Sequence, residues 1–151
     1  GNAHSHVSVV QYSRKFTVAI PLSDGTSVQK VQSKVDAMQW HRAFFQNQWC
    51  STNTWTGEAI EDVMEKVFPQ SSESAKTLVI LTDGKANGKS PVTPARNARN
   101  RGVQIIAVGI DKYDTSELLS MTGDSKKVIK ISQCATLLSH VEDVVNKVCE
   151  T

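Results

Sequence analysis

The chain has 151 residues, 39% hydrophobic and 21% charged, a composition that suits one globular domain around a single core. Its formal net charge of +2 is too small for a nucleic-acid-binding face, and Arg96, Arg99 and Arg101 are spaced as a solvated helix face. No apolar run approaches the ~20 residues that cross a bilayer, and the opening GNAHSHVSVV lacks the regions of a signal peptide. These features leave a mature fragment or an intracellular protein as the two expectations.

Residues 7–12, VSVVQY, are short and β-branched and predict a strand. A second strand follows over residues 16–22, FTVAIPL, and the polar link Ser13-Arg14-Lys15 fits an antiparallel hairpin. Pro21 has no N–H for a ladder, so this second strand belongs at a sheet edge. Val28, Val31, Val35 and Met38 recur at helical spacing behind a Thr26 or Ser27 cap. The aromatic WHRAFFQNQWC, residues 40–50, has no clear period and reads as a helix extension or a packed loop. A helix over residues 57–68 carries Ile60, Val63, Met64 and Val67 on one face and ends at Pro69.

Residues 78–81 form a continuous apolar run, the pattern of a strand buried on both faces of a parallel sheet. A basic helix over residues 94–101 stops at Gly102, and VQIIAV, residues 103–108, is a second buried strand. A short helix (residues 115–121) and a strand (127–131) follow. The closing helix has Leu137, Val141, Val144, Val145 and Val148 on one face. Helices alternating with apolar strands from Gly57 onward predict an open α/β sheet with covered faces and one domain.

Cys50, Cys134 and Cys149 are odd in number, so a free thiol or a partner beyond the sequence is expected. His4 and His6 read either as a metal pair on one strand face or as a loose tail. The stretch LVILTDGKANGKS ends like a phosphate-binding loop, yet Asp83 stands where its first glycine belongs. A carboxylate there would sit against phosphate oxygens, and like charges at ~4 Å repel by several kcal/mol at an effective dielectric near 20. Pro91 also disfavours helix where such a loop must open one. A phosphatase-type nucleophile would want a second carboxylate two residues on, and position 85 is Lys. What remains for Asp83 is a carboxylate at the C-terminal end of a central strand, where open α/β sheets bind ligands. It reads equally as a ligand for a hard cation and as the first residue of an Asp-Gly turn.

Four ordered motifs carry a resemblance. HVSVVQYS lies near the start, Thr54-Trp55-Thr56-Gly57-Glu58-Ala59-Ile60 fits T-x-T-G-x-A-[IL], residues 79–84 read VILTDG, and residues 108–118 read VGIDKYDTSEL. Together they resemble the von Willebrand factor A domain, also found as the integrin I domain, over residues 6–149. The resemblance implies a Rossmann-like, mostly parallel sheet with one antiparallel edge strand, helices on both faces, and a metal-ion-dependent adhesion site at its top. Carried onto this sequence, Thr54 and Asp83 are the metal ligands, for Mg²⁺, Mn²⁺ or Ca²⁺. Trp55, Thr56 and Lys85 are the flanking ligand contacts. It implies an extracellular, non-catalytic adhesion module whose partner is collagen or another matrix or cell-surface protein. A matrix domain that self-assembles without metal is the alternative, and an intracellular phosphate or nucleotide binder a remote one.

The family's D-x-S-x-S motif is absent from the chain, as are the first strand and first helix around it. In the family that strand lies mid-sheet, between the strands matching residues 7–12 and 78–81. A single but N-terminally incomplete domain, residues 1–151, should therefore show two half-sheets with unpaired edges. A missing N-terminal segment, a second chain or a rearranged pairing is expected to fill the gap, with Cys149 free to bridge to that segment.

Overall fold

The computed structural model describes residues 5–37, 53–133, 136 and 139–149. The readings on His4, residues 40–50, Cys134 and Leu137 lie outside them.

The strands fall into two ladders. β1 (Val9–Tyr12) and β2 (Phe16–Ile20) pair antiparallel, with Val10 opposite Val18 and Tyr12 opposite Phe16. Ser13 donates to the Lys15 carbonyl and closes the predicted hairpin. The strand ends at Ile20, one residue before Pro21, as a residue without an N–H requires. β3 (Lys76–Thr82), β4 (Val103–Ile110) and β5 (Val128–Ile131) form a parallel sheet in that order. Its register runs from Lys76 opposite Val103 to Thr82 opposite Gly109.

β4 shows why its sequence is nearly all apolar. Val103, Ile105 and Ala107 face one core, and Ile106, Val108 and Ile110 face the other. The first core is completed by α2 (Thr56–Asp62) with Ile60, by α3 (Val92–Asn100) with Ala95 and Ala98, and by α4 (Thr115–Thr122) with Leu118 and Met121. Against the second packs α5 (Val141–Cys149), through Val144 and Val148. Burying one such isoleucine side chain contributes about 1.5–3 kcal/mol.

Two differences from the sequence reading have physical causes. The predicted helix over residues 57–68 is α2 followed by a π-helical turn, Val63–Val67, and a 3₁₀ turn, Phe68–Gln70. Pro69 sits inside that 3₁₀ turn, because a residue in a helix's first turn needs no N–H of its own. α1 (Val28–Ala37) forms where the valine spacing predicts, but none of its residues is buried, and Val28 is 78% exposed. No described element covers that stripe.

Among the described residues no strand joins β1 to β3. A cleft of about 680 Å³ lies between them, walled by Val10 and Tyr12 on one side and by Leu78 and Ile80 on the other. Ile60 and Val63 form its floor. The expected half-sheets are therefore present, split at the expected position.

Candidate metal and ligand face

β3 delivers Asp83 at its C-terminal end. Thr82, 5% exposed, donates its hydroxyl to the Gly84 carbonyl at 2.9 Å and accepts from the Gly84 N–H at 3.4 Å. That closed turn leaves the Asp83 side chain exposed.

The loop before α2 is fastened against this turn. The Thr54 N–H donates to Asn87 Oδ1 at 2.9 Å, and the Asn87 N–H donates to the Thr54 carbonyl at 3.1 Å. A Cβ placed on Gly84 would meet Thr54 Oγ1 at 3.8 Å, so the threonine hydroxyl lies beside the Asp83-Gly84 turn. Gly57 permits this approach, since a Cβ there would lie 2.4 Å from the Lys89 carbonyl oxygen. The structure thus brings Thr54 and Asp83 to one place from elements far apart in sequence.

The flanking residues divide. The indole of Trp55 sits under the Arg14 guanidinium, 5.9 Å away, and Arg14 also donates to Asn53 Oδ1 at 3.3 Å. Lys85 is exposed and pairs with Asp114 at 3.1 Å. Thr56, expected as a ligand contact, is 1% exposed. Its hydroxyl lies 3.5 Å from Tyr12 Oη, so it supports the site from beneath; as the first residue of α2 it turns into the core.

Further residues hold the face together. Asp114 caps α4 by accepting from the Glu117 N–H at 3.1 Å. This bond, with the Lys85 ammonium next, lowers its carboxyl to about 2. Glu117 reaches away from its own helix and accepts from the Ala86 N–H at 2.9 Å. Glu58 accepts from the Lys89 N–H at 2.8 Å. The pattern D-T-S-E at residues 114–117 is a legible cap signature, whereas the reach of Glu58 and Glu117 spans 31 residues and has no local sign. Tyr12 joins in from β1, 3.5 Å from the Leu81 carbonyl. Burial raises its phenol pKa, and the Asp83 and Glu117 charges add to that.

These bonds bear on the phosphate-loop resemblance of LVILTDGKANGKS. The N–H groups of Ala86, Asn87 and Lys89 already donate to Glu117, Thr54 and Glu58. Two carboxylates and a main-chain carbonyl of the chain occupy the positions from which an anion would be bound.

For a divalent cation the donors fit in kind. One exposed carboxylate and one hydroxyl are hard oxygen ligands, and Mg²⁺ in particular is held by one or two carboxylates with waters retained. They are few in number: among the described residues no group of three or more His, Cys, Asp or Glu side chains gathers around one point. Cys149 is a free, exposed thiol. No helix among the described residues is long and apolar enough to cross a membrane.

The family model for the von Willebrand factor type A domain matches residues 1–144. The mouse collagen alpha-5(VI) chain is 28% identical over 147 residues, covering 95% of this chain and 5% of that one. Chicken matrilin-3 is 28% identical over 134 residues, with 82% of this chain and 27% of the relative covered. A solved structure of proximal thread matrix protein 1 from the mussel byssus, with a zinc-occupied MIDAS motif, superposes with a TM-score of 0.82 at 28% identity. It covers 99% of this chain and 36% of that one. The chain therefore spans about a third or less of each of these relatives.

Proposed function

This chain belongs to the von Willebrand factor type A domain family, and we propose that it is a non-catalytic extracellular module that binds a protein of the matrix or cell surface. In this reading residues 1–151 make one domain. The observation that carries it is the convergence of Thr54 and Asp83 on one exposed face, fastened by the reciprocal bonds between Thr54 and Asn87. The relatives support the setting, since one is named as a collagen VI chain and another as a thread matrix protein of the mussel byssus.

Asp83 and Thr54 would hold a divalent cation, Mg²⁺ or Mn²⁺ or Ca²⁺, which when bound supplies an electrophilic centre for a carboxylate from the partner. The chain's own part is positioning. The Thr82–Gly84 turn aims the Asp83 carboxylate outward, Glu117 and Glu58 hold the loop behind it, and Trp55, Arg14 and Lys85 rim the face for partner contact. Collagen is the first partner to test.

Thermal unfolding with added Mg²⁺ or Mn²⁺, alongside binding to a collagen-coated surface, tests the reading. At a hundredfold excess over its dissociation constant a native-state ligand adds about 2.7 kcal/mol, which for a domain of this size is a rise of roughly 5–11 °C. The rise and the binding are expected to vanish with a chelator, in Asp83→Ala, and largely in Thr54→Ala. Chelator-resistant binding without a thermal shift would replace this reading with a metal-independent, self-assembling matrix domain, a possibility favoured by the sparse donor set.

A further inference from the structure

The turn between β1 and β2 grips the loop that carries Thr54. Its residues meet that loop on both sides of the threonine. Before it, the Arg14 guanidinium donates to Asn53 Oδ1 at 3.3 Å. After it, the Trp55 N–H donates to the Ser13 carbonyl at 3.2 Å, and Arg14 lies over the Trp55 ring at 5.9 Å, within reach of a cation–π contact. The Tyr12 hydroxyl is 3.5 Å from Thr56 Oγ1. Thr54 itself is held by the loop after β3, its N–H and its carbonyl both bonded to Asn87.

The two grips do different things. Asn87 and Asp83 belong to one loop, so the Asn87 bonds set the Thr54 main chain against the loop that bears the carboxylate. The hairpin fixes residues 53, 55 and 56, and a residue held on both sides has little main-chain freedom left. Ordering the threonine before a ligand arrives removes a cost that binding would otherwise carry. The hairpin is also lightly anchored: Val9 to Tyr12 are half-buried, and in β2 only Ile20 is buried. An element held this way has a docking equilibrium that a ligand can bias.

We propose that the β1–β2 turn is a positioning element for this face. Tyr12, Ser13 and Arg14 hold Thr54 in place beside Asp83, and a cation seated there in turn holds the hairpin down. The first half rests on the contacts alone; the second rests on the metal-centred reading given above. Such coupling is reciprocal: the factor by which a docked hairpin raises cation affinity is the factor by which the cation favours docking. Tyr12, Ser13 and Arg14 are not cation ligands in that reading, so a purely local metal site would leave the hairpin unaffected.

Arg14→Ala removes the Asn53 and Trp55 contacts from an exposed position, and Lys15→Ala removes an equal charge from its exposed neighbour. Without metal, amide exchange at Thr54 and Trp55 should quicken about two- to fivefold in Arg14→Ala, the size of an exposed cation–π contact, and stay unchanged in Lys15→Ala. Arg14→Lys, which keeps a cation for the ring, should recover part of the loss. Calorimetry with Mg²⁺ should show about two- to fivefold weaker binding in Arg14→Ala and none in Lys15→Ala. Losing a positive charge would by itself tighten cation binding, so the sign separates positioning from charge. In the parent, saturating Mg²⁺ should slow tryptic cleavage after Arg14 and Lys15 by roughly twofold or more, relative to cleavage after Arg101. Unchanged exchange in metal-free Arg14→Ala overturns the positioning role. Equal Mg²⁺ affinity in the parent and Arg14→Ala, equal weakening in Lys15→Ala, or unslowed cleavage at the turn overturns the coupling. A parent that binds no Mg²⁺ overturns the metal-centred reading and the coupling with it, while the metal-free exchange still decides the positioning role.

Discussion

Gly57→Ala tests whether the contact between the two loops is what brings Thr54 to Asp83. The added methyl would stand 2.4 Å from the Lys89 carbonyl oxygen, and 3.0 Å from the Lys89 carbonyl carbon and the Ser90 oxygen. All three are main-chain atoms, so no side chain can swing aside. Non-bonded carbon contacts settle near 3.5–4.0 Å, and the loops must part by on the order of 1 Å. Overpacking of this kind costs about 1–3 kcal/mol, and each kcal/mol moves the midpoint of a domain this size by about 2–4 °C. Thermal unfolding followed by circular dichroism should show a drop of roughly 2–12 °C. Gly84→Ala is the control, because its methyl would meet only Thr54 Oγ1 at an ordinary 3.8 Å. It should melt within about 1 °C of the parent. Hydrogen exchange should quicken at the Thr54 and Asn87 amides in Gly57→Ala alone. A Gly57→Ala midpoint equal to the parent's, or an equal loss in Gly84→Ala, would refute the reasoning.

Ile105→Ala, at a fully buried position in β4, should cost about 2–5 kcal/mol in chemical denaturation. Asp114 has a folded pKa of about 2, below the ~3.9 of an unfolded aspartate, so its contribution is present above pH ~4 and fades as pH falls toward 2. The Glu117 amide resonance should report that titration, and a midpoint near 4 would contradict the cap. Tyr12, raised by burial first, should ionise above 10.0 in an ultraviolet titration. The unfolded phenol ionises first, so stability falls as pH rises past about 10. Asp83→Asn removes one of the charges on the phenol and should bring its midpoint down, which a merely structural Asp83 in a remote turn would not.

The part of the fold from Gly57 onward was legible because periodicity and burial agree there. Ile60, Val63, Met64 and Val67 are all buried, and the apolar runs of β3 and β4 lie in the parallel sheet. The valines of α1 carry the same helical spacing yet remain outside the core, since spacing marks a helix but not what covers it. At the candidate face, Asp83 and Thr54 could be named from motifs. The role of Thr56 could not, because the residue that opens α2 points inward only once Tyr12 is packed beneath it. Glu58 and Glu117 were equally silent, their partners being main-chain N–H groups in a distant loop. The π-helical turn after α2 also left no mark in the apolar pattern, which fits either helix.

The distribution of the core has a consequence for how the molecule yields. Ile20 apart, every buried apolar residue described falls within residues 59–131. Among the described residues the β1–β2 hairpin is tied to that half by Tyr12 to Leu81 and Thr56, by the Ser13 carbonyl to the Trp55 N–H, by Arg14 to Asn53 and the Trp55 ring, and by Lys66 over the Phe16 ring. Cooperativity is therefore unequal along the chain. On the described contacts the hairpin is expected to loosen before the parallel ladder under rising heat or mechanical load. A melting curve watched through the sheet would miss the first event, and one watched through Tyr12 would record it early.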